Sequence, residues 1–339
     1  MTAPREARAL AARLVWGSID GPALTAHERT LVGQGLGGVV LFSRHVESRE
    51  QVRRLIDELR VTAPGPIHVA VDQQRGHVVR LGEPLIRFPS ATALAATGSE
   101  RLARAVAAAT ARELAALGID VVIAPDLDIA PDPDNSIDGI TTPGSDPTLV
   151  ARLRAAMVEG YLAGGVLPIA RPTPGHGRTS VDPRLAPFAA AVAAGVPGLV
   201  TAQVVDDPID GRPASRSQTV VERLRGDLGF DGLLVTDALV ADTIAGRVAD
   251  EQTAVEAVAA GADVAMALEP AGRVIEALAI ALDRGILPRA RVRQAIRRVD
   301  AFAARAGGGA AGAGWLSHAG LAREVAEALG SDEELPLPR

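Results

Sequence analysis

The sequence contains no cysteine, no lysine and very few aromatic residues, and each absence narrows what the chain can do. Without cysteine there is neither a disulfide nor a thiolate metal site, and thiols carry no record of the redox compartment. All 35 basic residues are arginine. Two Trp, one Tyr and five Phe are too few for the extended aromatic platform that a long polysaccharide needs, so a small ligand is expected. No apolar run approaches the ~20 residues that cross a bilayer. The stretch from Met1 to Ala12 is charged and helical in character, without the apolar centre and cleavage site of a signal peptide. A cytoplasmic location is the resulting expectation. The net charge is −6 and the arginines are scattered, whereas nucleic-acid phosphates call for a clustered positive face. Nucleic acid and membrane are therefore not expected as partners.

What is present is a chain of 339 residues, 47% apolar and dominated by Ala, Val, Leu and Ile, which suits helices packed on buried parallel strands. Short β-branched runs recur at Arg13–Trp16, Gly38–Phe42, His68–Val71, Asp120–Ala124, Val166–Ala170, Gly198–Ala202, Gly232–Thr236 and Asp263–Ala267. Helical patterns fall between most of them, at Ser48–Val61, Ser99–Leu117, Pro147–Ala163, Pro187–Ala194, Gln218–Leu228 and Asp250–Ala260. Val274–Arg284 and Arg289–Arg305 follow the last strand. A doubly wound open sheet alternates in the same way, but eight evenly spaced strands favour one α/β domain, a closed (β/α)8 TIM barrel over residues 1–306. Residues 307–339 read as a Gly/Ala linker, a short helix (Leu316–Leu329) and a polar tail. Two long connections, Pro125–Asp146 and Arg171–Arg184, are rich in Pro, Gly, Asp and Ser, as functional loops often are.

Polar residues at strand carboxyl ends point toward the mouth of such a barrel. Asp72 closes the third strand, Asp128 follows the fourth and Asp237 closes the seventh. Pro174-Gly175-His176-Gly177 follows the fifth, with Asp182 close behind. Each has a plainer reading. Asp237 suits the cap of a helix over Ala238–Ile244, Asp132, Asp134 and Asn135 suit turns, and His176 suits a hydrogen bond within its own loop. Carboxylates converging from several strands fit glycoside hydrolysis, in which one ionised carboxylate attacks the anomeric carbon. A divalent cation is the second use of the same grouping, although no single element carries a dense Asp/Glu/His cluster.

The motifs that carry these residues resemble glycoside hydrolase family 3, in its β-N-acetylglucosaminidase branch. Gly37-Gly38-Val39-Val40-Leu41-Phe42-Ser43-Arg44 resembles the second strand of that family's barrel, and Val71-Asp72-Gln73-Gln74-Arg75-Gly76 through Arg80 resembles its D-Q-E-G-G-R-V-x-R segment. Ala124 to Asp128, and Gly144 to Pro147, are similar to its strand-four loop. Pro174 to Asp182 resembles K-H-F-P-G-H-G-D-T-x-x-D-S-H, and Gly229 to Asp237 resembles the segment bearing the nucleophile. The likeness runs from about Ala11 to Gly307 with the motifs in order. It implies that Asp237 is the nucleophile of a retaining mechanism and that Asp72 and Arg80 hold sugar hydroxyls. His176 is implied to lie near that subsite, and Asp182 to match the acid of an Asp–His dyad. No cofactor is implied, and nothing in the sequence demands a metal.

The departures from the pattern bear directly on chemistry. Arg184 stands where the dyad has its histidine, and arginine keeps its proton at physiological pH, so it cannot serve as acid and then base. The Lys-His pair before the loop reads Arg171-Pro172, the strand-four loop arginine reads Thr141, the glutamate of D-Q-E reads Gln74, and Arg178 replaces an aspartate. Three functional readings follow. One is a β-N-acetylhexosaminidase-type hydrolase acting on a small glycoside such as a cell-wall fragment, with Arg171 and His176 as supporting contacts. A second is a sugar-binding or regulatory relative with impaired catalysis. The third is a shift toward an anionic sugar, read by Arg171, Arg178 and Arg184, since guanidinium groups pair with carboxylate or phosphate.

Overall fold

The computed structural model describes residues 3–73, 80–81, 85, 88, 90–129, 144–171, 185–203, 210–239, 250–268, 271–306 and 318–329. Eight strands run in parallel: β1 (Val15–Gly17), β2 (Gly38–Leu41), β3 (His68–Val71), β4 (Val121–Asp126), β5 (Leu167–Arg171), β6 (Gly198–Thr201), β7 (Leu233–Thr236) and β8 (Ala265–Met266). Each pairs with its neighbour in chain order from β1 to β7, and β8 pairs with β1. A parallel bridge between Val235 and Val264, with Thr236 N–H donating to the Val264 carbonyl at 2.9 Å, joins β7 to the approach to β8. Among the described residues this bridge brings the two ends of the sheet together into a nearly closed barrel.

Around it stand α1 (Arg5–Ala12), α2 (Ala26–Gly33), α3 (Arg49–Thr62), α4 (Ala91–Ala96), α5 (Glu100–Leu117), α6 (Pro147–Ala163), α7 (Ala186–Ala193), α8 (Gln218–Gly226), α9 (Asp250–Ala260) and α10 (Ala271–Asp283). Their starts are chemically marked. Ser48, Ser90, Ser99, Asp146 and Ser217 each accept a first-turn N–H as N-caps, and Thr25 forms a reciprocal capping box with Glu28. Helices α5 and α6 pack closely because residue 160 is glycine, where a Cβ would strike the Arg104 carbonyl. Gly38 is required for a similar reason: a Cβ there would lie 2.8 Å from the Trp16 ring.

Two further helices follow the eighth unit. Helix α11 (Arg289–Arg305) lies across the amino-terminal end of the barrel. Its Phe302 ring centroid is 5.1 Å from His68 and 6.3 Å from Trp16, and Arg305 donates to the Gly195 carbonyl at 2.8 Å. Asp263, fully buried at the start of the β8 segment, binds Arg291 at 2.8 Å and Arg298 at 3.4 Å from α11, and Arg225 at 2.9 Å from α8. Helix α12 (Ala319–Ala328) packs on α5 through buried Ala322 and Val325. No helix among the described residues is long and apolar enough to cross a membrane.

Candidate active site

The carboxyl-terminal ends of the strands bring polar side chains together, while the strand bodies are buried apolar residues. Asp72 follows β3, and its side chain is only 12% exposed. Arg171, the last residue of β5, donates from Nη1 to Asp72 Oδ2 at 3.1 Å. Strand β4 lies between β3 and β5, so the Arg171 guanidinium spans the end of β4 to make this bond. Arg80 approaches the same carboxylate oxygen at 3.8 Å. Its position follows from Gln73, whose buried amide oxygen accepts the N–H groups of Arg80 and Leu81, both at 3.0 Å, and whose Nε2 donates to the Leu81 carbonyl. One amide thus folds the Arg80 segment back onto the end of β3. The Arg80 guanidinium also stands 5.8 Å from the Phe42 ring centroid, and Arg44 stands 5.1 Å from it.

Asp237 follows β7, partly exposed, with its backbone N–H donating to the Thr201 carbonyl at 2.8 Å. Its Oδ1 accepts the N–H of Ala238 at 2.8 Å, and its carbonyl accepts Gln203 Nε2 at 3.4 Å. Gln203 is itself fixed by the Ser215 hydroxyl, which donates to its Oε1 at 2.8 Å. The Ala238 N–H belongs to the very next residue, whereas a helix-capping aspartate accepts from the second or third residue on; residues 240–249 lie outside the described structure.

One guanidinium ties these elements together. Burial opposes the charge on Arg171, but Asp72, then Asp237, Asp126 and Asp128 more than offset it and raise its pKa. Asp72 and Asp237 therefore act on the same cation from opposite sides of the barrel mouth. Among the described residues, the Nε–H groups of Arg80 and Arg171 are buried without a protein acceptor.

Asp126 lies in the Ala124–Asp128 motif, although the motif reading gave it no role. The β4–β5 pairing shifts register between Ile123 and Asp126, which sets Asp126 opposite Arg171. Its Oδ1 accepts the Asp128 N–H at 2.9 Å. Burial pushes the Asp126 carboxyl above the ordinary range, aided by Asp72 and opposed by Arg154, the Asp128 N–H and Arg171. The signal that could have found it lies in α6, where Arg154 occupies the inward stripe of Val150, Leu153, Met157 and Tyr161. A charge at such a position demands a partner inside.

Of the residues expected from sequence, Asp72, Arg80 and Arg171 are assembled within contact, and Asp237 shares their field. His176, Asp182 and Arg184 lie outside the described residues, as do Gln74, Asp132, Asp134, Asn135, Thr141, Pro172 and Arg178. Among the described residues no group of three or more His, Cys, Asp or Glu is placed to hold a metal ion. A cavity of about 540 Å³ opens at the opposite end of the barrel, between α3, the end of α5 and the end of α11. Its polar lining is largely self-paired: Arg60 donates to the Gly118 carbonyl at 2.6 Å and to Asp120 at 3.1 Å, and His68 lies 3.3 Å from Asp120. In barrels of this fold the chemistry belongs to the carboxyl-terminal face.

Residues 17–302 match the model of the glycosyl hydrolase family 3 N-terminal domain. The chain belongs to that family. A β-hexosaminidase of Alkalilimnicola ehrlichii is 34% identical over 246 residues, covering 65% of this chain and 70% of that protein. One from Chromobacterium violaceum is 33% identical, covering 77% and 81%. Against β-hexosaminidase A of Pseudoalteromonas piscicida, 31% identical, the match spans 45% of the longer protein. The family 3 β-N-acetylglucosaminidase of Paenibacillus sp. FPU-7 superposes with a TM-score of 0.88 at 30% identity, over 95% of this chain and 68% of that one. NagZ of Neisseria gonorrhoeae, solved in complex with N-trifluoroacetyl-D-glucosamine, gives 0.77 at 26% identity, over 94% and 97%. The eight-stranded barrel and family read from the motifs agree with these findings.

Proposed function

We propose that this family 3 protein is a retaining glycosidase of the β-N-acetylhexosaminidase type, acting on small glycosides such as cell-wall fragments. What supports the reading is Arg171, which donates to Asp72 at 3.1 Å and whose raised pKa has Asp72 and Asp237 as its leading electrostatic causes. Asp72, clamped by Arg171 and approached by Arg80, presents a fixed ionised acceptor for sugar hydroxyls. Asp237 attacks the anomeric carbon, the glycosidic oxygen leaves with the aglycone, and water then displaces the carboxylate to return the sugar with net retention.

The leaving oxygen needs a proton, and Arg184 cannot shuttle one. Asp182 is the proposed donor, His176 a neighbour of the sugar, and Arg184 a contact rather than an acid. Losing a matched acid/base costs about 10²–10⁴-fold, so the expected profile is good turnover of activated aryl glycosides and slow turnover of alkyl ones. Incubation with aryl β-N-acetylglucosaminide tests the reading. Release of the aryl group that vanishes in Asp237→Ala supports it; no release, or release unaffected by Asp237→Ala, rejects it. The choice of Asp182 fails if Asp182→Asn leaves the rate unchanged. Arg171 is engaged by a carboxylate, which weighs against its reading an anionic sugar. The proposed place of action is the cytoplasm, checked by cell fractionation.

A further inference from the structure

Arg80 needs more than its backbone to reach Asp72. Gln73 accepts the Arg80 and Leu81 N–H groups at 3.0 Å, which places the main chain and leaves a long side chain to be oriented by other contacts. The guanidinium approaches Asp72 Oδ2 at 3.8 Å, too far for a hydrogen bond, and its buried Nε–H has no acceptor among the described residues. Its other polar or ring contact among those residues is Phe42, whose ring centroid lies 5.8 Å from the Arg80 Cζ. That ring stands on a firmly built turn. Phe42 follows β2 directly, at the carboxyl-terminal end of the strand, and enters a short helical turn, Ser43–His45. Its N–H donates to His45 Nδ1 at 2.7 Å, and the buried His45 ring meets the Ile19 carbonyl at 2.7 Å through Nε2. Buried Gln51 donates from Nε2 to the His45 carbonyl at 3.1 Å and to the Pro22 carbonyl at 2.6 Å. Arg44, the second cation on the ring at 5.1 Å, donates to the Ser18 hydroxyl at 3.1 Å and to the Ile19 carbonyl at 3.3 Å. Ser18 in turn donates to the Val40 carbonyl at 3.1 Å.

We infer that Phe42 is a positioning residue, whose anchored ring holds the Arg80 guanidinium beside Asp72. A planar, weakly hydrated guanidinium is drawn to an aromatic face by the ring's quadrupole, an attraction worth about two- to fivefold in an equilibrium at a partly exposed site. The described polar contacts that fix this turn come from β2, from α3 and from the β1–α2 connection, not from the segment that carries Arg80. The ring is therefore the fixed surface and Arg80 the partner that settles on it. Phe42 is also half-buried against the core, which is its plainer role. Core packing makes the size of the side chain matter; the inference makes its π-electrons matter.

The inference rests on the glycosidase reading for its kinetic test and has a structural readout independent of it. In a crystal structure of Phe42→Leu the Arg80 guanidinium is expected to leave Asp72 for solvent, with Gln73 still holding the Arg80 N–H. An Arg80–Asp72 separation equal to that of wild type overturns the inference, whatever the protein catalyses. In kinetics with aryl β-N-acetylglucosaminide, Phe42→Leu is expected to raise KM about three- to fivefold with kcat within about twofold, since a ground-state contact is what loosens. Phe42→Tyr, which keeps an aromatic face, should hold KM near the wild-type value. Mono-, di- and trifluorinated phenylalanine at position 42 keep the shape of the ring while draining its negative face, and KM should climb with each fluorine. A KM that stays flat across that series, or a Leu variant equal to wild type, overturns the inference. In an Arg80→Met background the Phe42→Leu change should leave KM where it stands, because the ring acts through Arg80; equal effects in both backgrounds overturn it. If Phe42→Leu fails to fold, the fluorinated series carries the test. Absence of turnover in wild type rejects the glycosidase reading alone and leaves the Arg80–Asp72 separation as the deciding measurement.

Discussion

At the scale of single residues, the consequential groups are those whose charge or proton is set by their surroundings. His45, in the turn after β2, shows this. Its Nδ1 accepts the Phe42 N–H at 2.7 Å and its Nε2 meets the Ile19 carbonyl at 2.7 Å, so the neutral ring with a proton on Nε2 fits both partners. Burial lowers its pKa to about 4. A base whose folded pKa is depressed contributes stability that is complete above its unfolded value of about 6.5 and is lost as pH falls from there toward 4. The cost is on the order of 2–3 kcal/mol. Urea midpoints between pH 7 and pH 4 are expected to fall more steeply for wild type than for His45→Asn, and parallel curves would exclude the effect. At the mouth, Asp237→Ala is expected to lower kcat on an aryl β-N-acetylglucosaminide by about 10⁴-fold while leaving the melting temperature nearly unchanged, as steady-state kinetics and calorimetry will read. Asp72, Arg80, Arg171 and Asp237 were legible in the sequence because each ends a strand or sits in a motif. Asp126 lay inside the Ala124–Asp128 motif but was given no role, since its pairing opposite Arg171 depends on a register shift in β4 that no periodicity announces.

Among the elements, α11 is the most exposed to a directed test. It is held to the barrel by ring packing and by one buried carboxylate shared among Arg225, Arg291 and Arg298. Replacing Asp263 by alanine leaves three guanidinium groups facing one another inside, and a loss of about 3–5 kcal/mol in denaturant-derived stability is expected. Phe302→Ala removes the ring between His68 and Trp16 and is expected to cost about 3–5 kcal/mol. Both variants should keep KM near the wild-type value in whatever fraction remains folded. The helix itself was readable from its pattern, with the bounds Arg289–Arg305 matching the structure, as Pro147–Ala163 and Asp250–Ala260 also do. Helices α2 and α4 were not read, because each is short and its apolar stripe is only two or three residues deep. What the pattern could not show was direction: a stripe of apolar residues says that α11 is covered, not that it is the barrel's end it covers.

For the whole molecule, the two ends of the barrel divide the work. Substitutions at the amino-terminal end, such as Asp263→Ala, should move stability and not catalysis; those of the charged groups at the mouth, such as Asp237→Ala, should do the reverse. A variant from either set that crosses this division in paired melting and kinetic measurements would contradict the assignment of the site. The parallel barrel was legible because eight β-branched runs recur between helical stretches, while closure became evident only from the Val235–Val264 bridge. The presence of α11 across one end has a final consequence. The barrel interior is filled by side chains and that end is covered, so the carboxyl-terminal mouth is the doorway for substrate and products alike, and the aglycone must leave through it before water can take its place. Crowding that doorway with a bulky aglycone should therefore slow the second half of the reaction as well as the first.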